Sequence, residues 1–287
     1  MDPKPATTFD EQLELLKRRN CLVSDPVFCK QVLEKVNYYR FSAYFLPFRL
    51  PDGNYRKGTS FHQVYRIYEF DRKMRRILFS AIEQIEVYLR TQLAYFHAHK
   101  YGPLGYMDNV NYGTKHNHSC FEYLLDNEIR HNKNILFVKH HLEKYDGKFP
   151  IWVATELFSF GMLSYFYSDM KTSDKKDLSR TLYGTTYKNM DSWLRCCTDL
   201  RNICAHYGRL YYRIFSAVPA TPEGLDIKLG RRLFDNIEML KFLYPDRERW
   251  NHEILPSISA LIEEYHGDIS YKHIGFPDDW DSYLRAK

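Results

Sequence analysis

An all-α fold follows from three features of this 287-residue sequence. Glycine and proline are scarce, with 13 and 12 residues, below the usual shares of about 7% and 5%, so long stretches hold no turn-former. Apolar residues recur at intervals of three and four, and period-2 alternation never extends over a useful length. Residues that cap helix starts stand in front of several of these stretches. Hydrophobic residues make up 44% and charged residues 27%, a balance that excludes a disordered chain. No run of about 18 apolar residues occurs, so no membrane span is expected. The start, MDPKPATTFD, lacks the basic-then-apolar order of a signal peptide. Six cysteines without a Cys-x-x-Cys pair then read as reduced, packed thiols in a cytoplasmic protein.

The elements can be taken in order. Thr8 to Glu11 form a capping box before a first helix over Gln12 to Arg18. Asp25-Pro26 opens a second helix reaching about Val36. An aromatic segment, Tyr38 to Arg49, ends at the turn Pro51-Asp52-Gly53-Asn54. From Ser60 to Lys100 there is neither Gly nor Pro, and Ser60 with Gln63 repeats the capping-box pattern. Val64, Ile67, Met74, Ile77, Leu78, Ile82, Ile85 and Leu89 give this stretch one apolar stripe, so it reads as one very long helix or two nearly collinear ones. A loop over Tyr101 to Ser119 carries His116-Asn117-His118-Ser119-Cys120. These are metal-ligand residue types, but zinc usually draws its ligands from two separated segments, and no metal or cofactor is expected here. His97, His99, His140 and His141 read as helix-surface residues. Further helices are expected over 120–145, 151–170, 174–183, 189–215, 230–243 and 251–265. Pro219, Pro222, Gly224 and Gly230 mark a boundary, which divides the chain into 1–220 and a helical appendage, 221–287.

The stretch Asp191 to Ile214 carries the chemistry. On a helical wheel Trp193, Cys196, Cys197, Leu200, Ile203 and Cys204 lie on one apolar face, which Tyr207, Leu210, Tyr211 and Ile214 continue. Asp191, Arg195, Thr198, Asn202, His206, Arg209 and Arg213 fall within about 80° on the other side, with Arg201 roughly 60° outside that stripe. Imidazole titrates near neutral pH and can take or give a proton. Guanidinium groups fix a phosphate and stabilise charge developing on its oxygens. Such a stripe could cleave RNA, whose 2′-hydroxyl is an internal nucleophile that needs no metal. It serves equally as an RNA-binding face without cleavage, or as solvated surface.

Arg201-Asn202-Ile203-Cys204-Ala205-His206 matches the Arg-x4-His motif of HEPN-domain ribonucleases. The chain around it resembles the Abi-like family of abortive-infection proteins (the AbiD/AbiF group). The first matching pieces are Lys4-Pro5 with Thr8, Tyr38-Tyr39-Arg40-Phe41, Pro47-Phe48-Arg49 and Gly58-Thr59-Ser60-Phe61. Tyr68-Glu69-Phe70-Asp71-Arg72, Ala81-Ile82-Glu83-Gln84-Ile85-Glu86 and Leu89-Arg90-Thr91 follow. Tyr101-Gly102-Pro103, Pro150-Ile151-Trp152-Val153, Glu156 to Gly161, Ser192-Trp193-Leu194-Arg195 and Arg201 to Leu210 complete the ordered set.

The resemblance implies a HEPN-like helical bundle with a long central helix and extra helices, residues 1–220 forming the Abi-like HEPN domain. It implies a toxin-like endoribonuclease of phage defence, metal-independent, working as a homodimer in which two Arg-x4-His motifs face one another. Carried over, Arg201 binds the scissile phosphate, His206 acts as general acid or base, and Asn202 orients His206 or the phosphate. The products implied are a 2′,3′-cyclic phosphate and a 5′-hydroxyl. Some HEPN proteins carry a Tyr two places after the His, where this chain has Gly208. Arg195, Arg209 and Arg213 are assigned to RNA contact. Glu86 and Arg90, one turn apart, either stand behind the site as a supporting pair or form an ordinary i,i+4 ion pair worth about 0.3–0.5 kcal/mol; the ordinary pair is the preferred reading. The main rival is a catalytically silent module holding a small RNA or tRNA, and a third is a protein-interaction scaffold. Between Lys171 and Arg213, nine Lys+Arg stand against four Asp+Glu, which is the whole +5 excess of the chain and predicts a basic surface around the site.

Overall fold

The computed structural model describes residues 5–286; Lys4, in the first matching piece, lies outside them. The fold is all-α: 67% of the residues are helical and no strand forms among those described, only isolated bridges. The helices in chain order are α1 (Phe9–Arg18), α2 (Pro26–Lys35), α3 (Tyr38–Ser42), α4 (Phe61–Tyr101), α5 (His118–His131), α6 (Leu136–Lys144), α7 (Ile151–Ala154) and α8 (Phe160–Asp169). They continue with α9 (Thr172–Tyr183), α10 (Tyr187–Ala205), α11 (Leu233–Leu243), α12 (Arg247–Arg249), α13 (Leu255–Tyr265), α14 (Tyr271–Ile274) and α15 (Trp280–Leu284).

Helix α4 is unbroken over 41 residues, about 60 Å at 1.5 Å per residue. Of the reciprocal pair expected at its start, the Ser60 half forms: its hydroxyl accepts from the Gln63 amide at 3.1 Å. Gly102, at φ 82°, ends it in a conformation that only glycine adopts freely. Its buried stripe runs Phe61, Val64, Ile67, Phe70, Met74, Leu78, Ile82, Ile85, Leu89 and Leu93. Helices α7, α8, α10, α11 and α13 all pack on it.

The spans on either side of residue 220 share one hydrophobic core. Trp193 of α10 donates its indole N–H to the Ala220 carbonyl at 2.7 Å and stacks on Phe242 of α11 at 5.4 Å. Arg66 and Lys73 of α4 pair with Asp268 at 2.9 Å and Glu264 at 2.6 Å.

Several expected helices are interrupted. The stretch 120–145 divides into α5 and α6, because the Asn132 side chain turns back onto the Glu128 carbonyl at 2.8 Å and closes α5. The stretch 151–170 divides where Thr155–Leu157 tightens into a 3₁₀ turn, and Ser159 caps α8 through the Met162 amide. Before α13, Trp250–Ile254 runs as a π-turn ahead of Pro256, whose ring nitrogen has no hydrogen to donate. The most consequential departure concerns 189–215: α10 stops at Ala205, and residues 206–232 double back as a strap. Ser216 donates to Asp199 at 3.0 Å, and the Ala220 amide donates to Ser192 at 2.9 Å, so the strap runs antiparallel to α10.

Candidate functional site: an Arg–His pair on a clamped helix end

The last turn of α10 closes as a two-bond Schellman cap. His206 is the capping residue; the Tyr207 amide donates to the Cys204 carbonyl at 3.2 Å and the Gly208 amide to the Ile203 carbonyl at 2.7 Å. Tyr207 sits at φ 57°, the left-handed conformation that usually selects glycine. The glycine stands one place later, where space is tight. A Cβ on residue 208 would lie 3.0 Å from the Ile203 side chain and 3.1 Å from its carbonyl oxygen, so a tyrosine there would require Ile203 to shift by a few tenths of an ångström.

The turn is clamped from the opposite wall. Arg40 of α3 donates to the Tyr207 carbonyl, and Arg75 of α4 donates to the Gly208 carbonyl at 3.2 Å. Asp71, fully buried on α4, accepts from the Leu210 amide at 3.0 Å, the Tyr211 amide at 2.6 Å, the Tyr44 hydroxyl at 2.7 Å and the Arg75 guanidinium. Burial pushes the Asp71 carboxyl up, while Arg75, Tyr44 and the two amides pull it back down. Four donors on two oxygens suit the ionised form, which accepts only.

On this frame His206 is exposed, and its ring makes no hydrogen bond among the described residues. Asn202, one turn earlier, is exposed as well, and the His206 amide donates to its carbonyl at 3.0 Å. Arg201 is half-buried. Its Nε has no hydrogen-bond partner among the described residues and lies 3.9 Å from Glu86 Oε2, and its guanidinium stands 6.0 Å from the centre of the Phe79 ring. Glu86 accepts from Arg90 at 2.9 Å, and Arg90 also donates to the Thr155 and Phe158 carbonyls at 2.7 and 3.0 Å. The pair is therefore an i,i+4 ion pair that also approaches Arg201, and Arg90 fastens α4 to the turn before α8.

The shared stripe does not survive the end of α10. Arg209 and Arg213 leave the His206 face because the chain ceases to be helical at Ala205. Arg209 is half-buried, with one terminal nitrogen enclosed and unpartnered, and burial pulls its guanidinium down from the ordinary arginine range. Arg213 donates to the Arg209 carbonyl at 3.3 Å and leans on Phe215. Leu210 and Tyr211 are buried as the wheel required, but Tyr207 and Ile214 are exposed, at 69% and 64%. Arg195 is exposed in a separate groove that also holds Asp191 and Asp199.

The other candidates have structural partners. His116 pairs with Asp169 at 2.9 Å and stacks on Tyr112 at 3.8 Å, while His118 meets the Met107 carbonyl at 2.9 Å. His97 is not a surface residue. It is buried among Tyr101, Tyr112 and Phe166 with neither ring nitrogen bonded, and burial lowers its pKa to about 4. Cys29 and Cys196 are pushed up to about 11, Cys21 and Cys204 to about 12, all by burial, as inert packing thiols should be. Cys120 alone is exposed.

Arg40, Asp71 and Arg75 were not among the expected site residues. One signal was present: Asp71 and Arg75 stand on the buried stripe of α4, among Ile67, Met74 and Leu78, where an ionised residue needs a partner.

Fold and site together define an all-helical protein that presents an Arg-x4-His pair on the clamped C-terminal end of one helix. The chain belongs to the family of Abi-like proteins, which its residues 31–212 match. That membership suggests a part in abortive infection, a defence against phage. No curated protein and no solved structure matches the chain. No helix among the described residues is long and apolar enough to cross a membrane.

Proposed function

We propose that this Abi-like protein is a metal-independent endoribonuclease of the HEPN type, a toxin-like effector whose site is completed by a second copy of the chain. The observation that carries the reading is the end of α10. An imidazole that makes no hydrogen bond among the described residues, on a turn that three side chains lock, lies five residues after a guanidinium with a spare donor. Locking matters because proton transfer and phosphate binding reward groups already held in place.

In this mechanism Arg201 holds the scissile phosphate and neutralises charge gathering on its oxygens. One His206 takes the proton from the 2′-hydroxyl, whose oxygen bonds to the adjacent phosphorus. The bond to the 5′ oxygen breaks, and that oxygen receives a proton from the partner subunit's His206. A 2′,3′-cyclic phosphate and a 5′-hydroxyl result. Asn202 steadies the ring or the phosphate, and Glu86 keeps Arg201 extended toward it.

The test is purified protein on mixed RNA in EDTA, with the product ends analysed. Cleavage should leave cyclic-phosphate ends, and His206→Ala and Arg201→Ala should each lower it at least about a hundredfold. Equal cleavage by His206→Ala would remove the assigned site. Tight RNA binding without cleavage under any activating condition would select the silent RNA-binding module instead.

A further inference from the structure

Beside the clamped turn lies an open groove of about 730 Å³, within the size range of small-ligand sites. Its walls are the C-terminal end of α2, the start of α3, the middle of α4 and the end of α10. Five cations line it: Lys35, Arg40, Arg72, Arg75 and Arg76, against one acid, Glu83. Two of the five are already matched. Arg72 makes a forked pair with Glu69, and Arg75 is bonded to Asp71. Lys35, Arg40 and Arg76 have no anionic partner among the described residues, and all three are exposed. Such a concentration of uncompensated charge raises the local concentration of an anion.

The groove also offers flat apolar faces. Phe79 and Tyr207, 39% and 69% exposed, line it together with Tyr68. Cations interleaved with open aromatic rings are the equipment that holds a phosphate chain while bases stack, and an acidic peptide would have little use for the rings. Phe79 further borders the candidate site itself, since Arg201 stands over its ring, and Tyr207 directly follows His206.

We infer that this groove binds a nucleotide unit, with its phosphate on Lys35, Arg40 and Arg76 and its base on Phe79 or Tyr207. The inference deepens the ribonuclease reading, on which its biological sense rests: a strand lying there would lead directly past Arg201 and His206. The same chemistry would also accept a free nucleotide.

Full-length His206→Ala protein separates binding from cleavage, so the groove can be tested in that background. The probes are a labelled mixed-sequence 12-nucleotide single-stranded RNA and AMP. Lys35→Ala and Arg76→Ala should each weaken RNA binding by about tenfold at low salt, and the double variant should lower the salt slope by up to about 0.7, the share of the one phosphate these cations hold. Phe79→Ala should cost roughly tenfold, with Phe79→Tyr restoring it. Lys115→Ala, exposed and outside the groove, should bind as the parent does. RNA held far more tightly than AMP assigns the groove to a strand, and comparable groove-dependent affinity assigns it to a free nucleotide. Parental affinity and salt slope in the Lys35→Ala, Arg76→Ala double variant would overturn the proposal. Groove-dependent binding with no cleavage by the unmutated chain would sink the ribonuclease reading and leave the groove standing.

Discussion

His97 shows what one residue contributes when it is moved from the surface to the interior. Its imidazole has no hydrogen-bond partner among the described residues and is surrounded by rings, with Asp174 the charged group acting on it. Burial sets its folded pKa near 4, against about 6.5 in an unfolded chain. Between those values the unfolded state binds the proton and the folded state does not, so stability is complete above pH 6.5 and drains away as pH falls toward 4. By pH 5 the loss amounts to about 2 kcal/mol. A His97→Phe variant keeps the ring packing and has nothing to protonate. Its midpoint in urea should fall less between pH 7 and pH 5 than that of the unmutated chain. Identical pH dependence in the two proteins would mean that the ring is solvated. The expected surface position failed for a plain reason: a histidine at helical spacing shows which face it shares, but not which face a later helix will cover. Here α8 supplies Phe166 to cover it.

At the scale of elements the decisive object is the joint between α4 and the strap. Asp71 reaches across the fold to the amides of Leu210 and Tyr211, 139 and 140 residues later, and Arg75 supports the same turn. Replacing Asp71 by Asn keeps the shape, removes the charge and leaves Arg75 buried without its counterion. Breaking one partner of a buried pair typically costs about 3–5 kcal/mol. The Asp71→Asn chain should melt earlier, and hydrogen exchange at residues 207–211 should quicken before the rest of α10 loosens. Unchanged protection there would show that Arg40 and the helix cap hold the turn alone. The joint also marks how far the sequence was legible. Long periodic stretches such as α4 declared themselves, because 41 residues with one stripe and no breaker leave little choice. The end of α10 did not, because its wheel continued in phase through Tyr207, Leu210, Tyr211 and Ile214. Leu210 and Tyr211 are buried after all, by a strap that returns along the helix rather than extending it. Tyr207 in a left-handed conformation hid the stop, since no glycine stood where a cap usually has one.

For the whole molecule, the charge surrounding the site comes from an unexpected quarter. The +5 window from Lys171 to Arg213 spreads over several surfaces, and one of its lysines, Lys175, is tied to Asp191 at 3.0 Å. The cations gathered beside His206 belong to residues 35–76, from segments that meet only in the fold. Linear counting does show an excess there, since residues 35–76 hold ten Lys+Arg against Asp52, Glu69 and Asp71, but it does not show which of the ten meet in one groove. One chain nonetheless carries a single Arg201 and a single His206, and the proposed chemistry uses two imidazoles, one to take a proton and one to give it. A two-fold pair satisfies this with the same patch on both copies. The consequence can be measured by mixing. With RNA in large excess, adding nine parts of His206→Ala chain to one part of the unmutated chain leaves each active subunit paired mostly with an inactive one. If pairing is random and both imidazoles are needed, activity per unmutated chain should fall to about a tenth. Adding nine parts of unrelated carrier protein should change nothing. A chain complete by itself would ignore the inactive partner, and full activity in the mixture would therefore rule out the shared site while leaving Arg201 and His206 of a single copy to account for any cleavage.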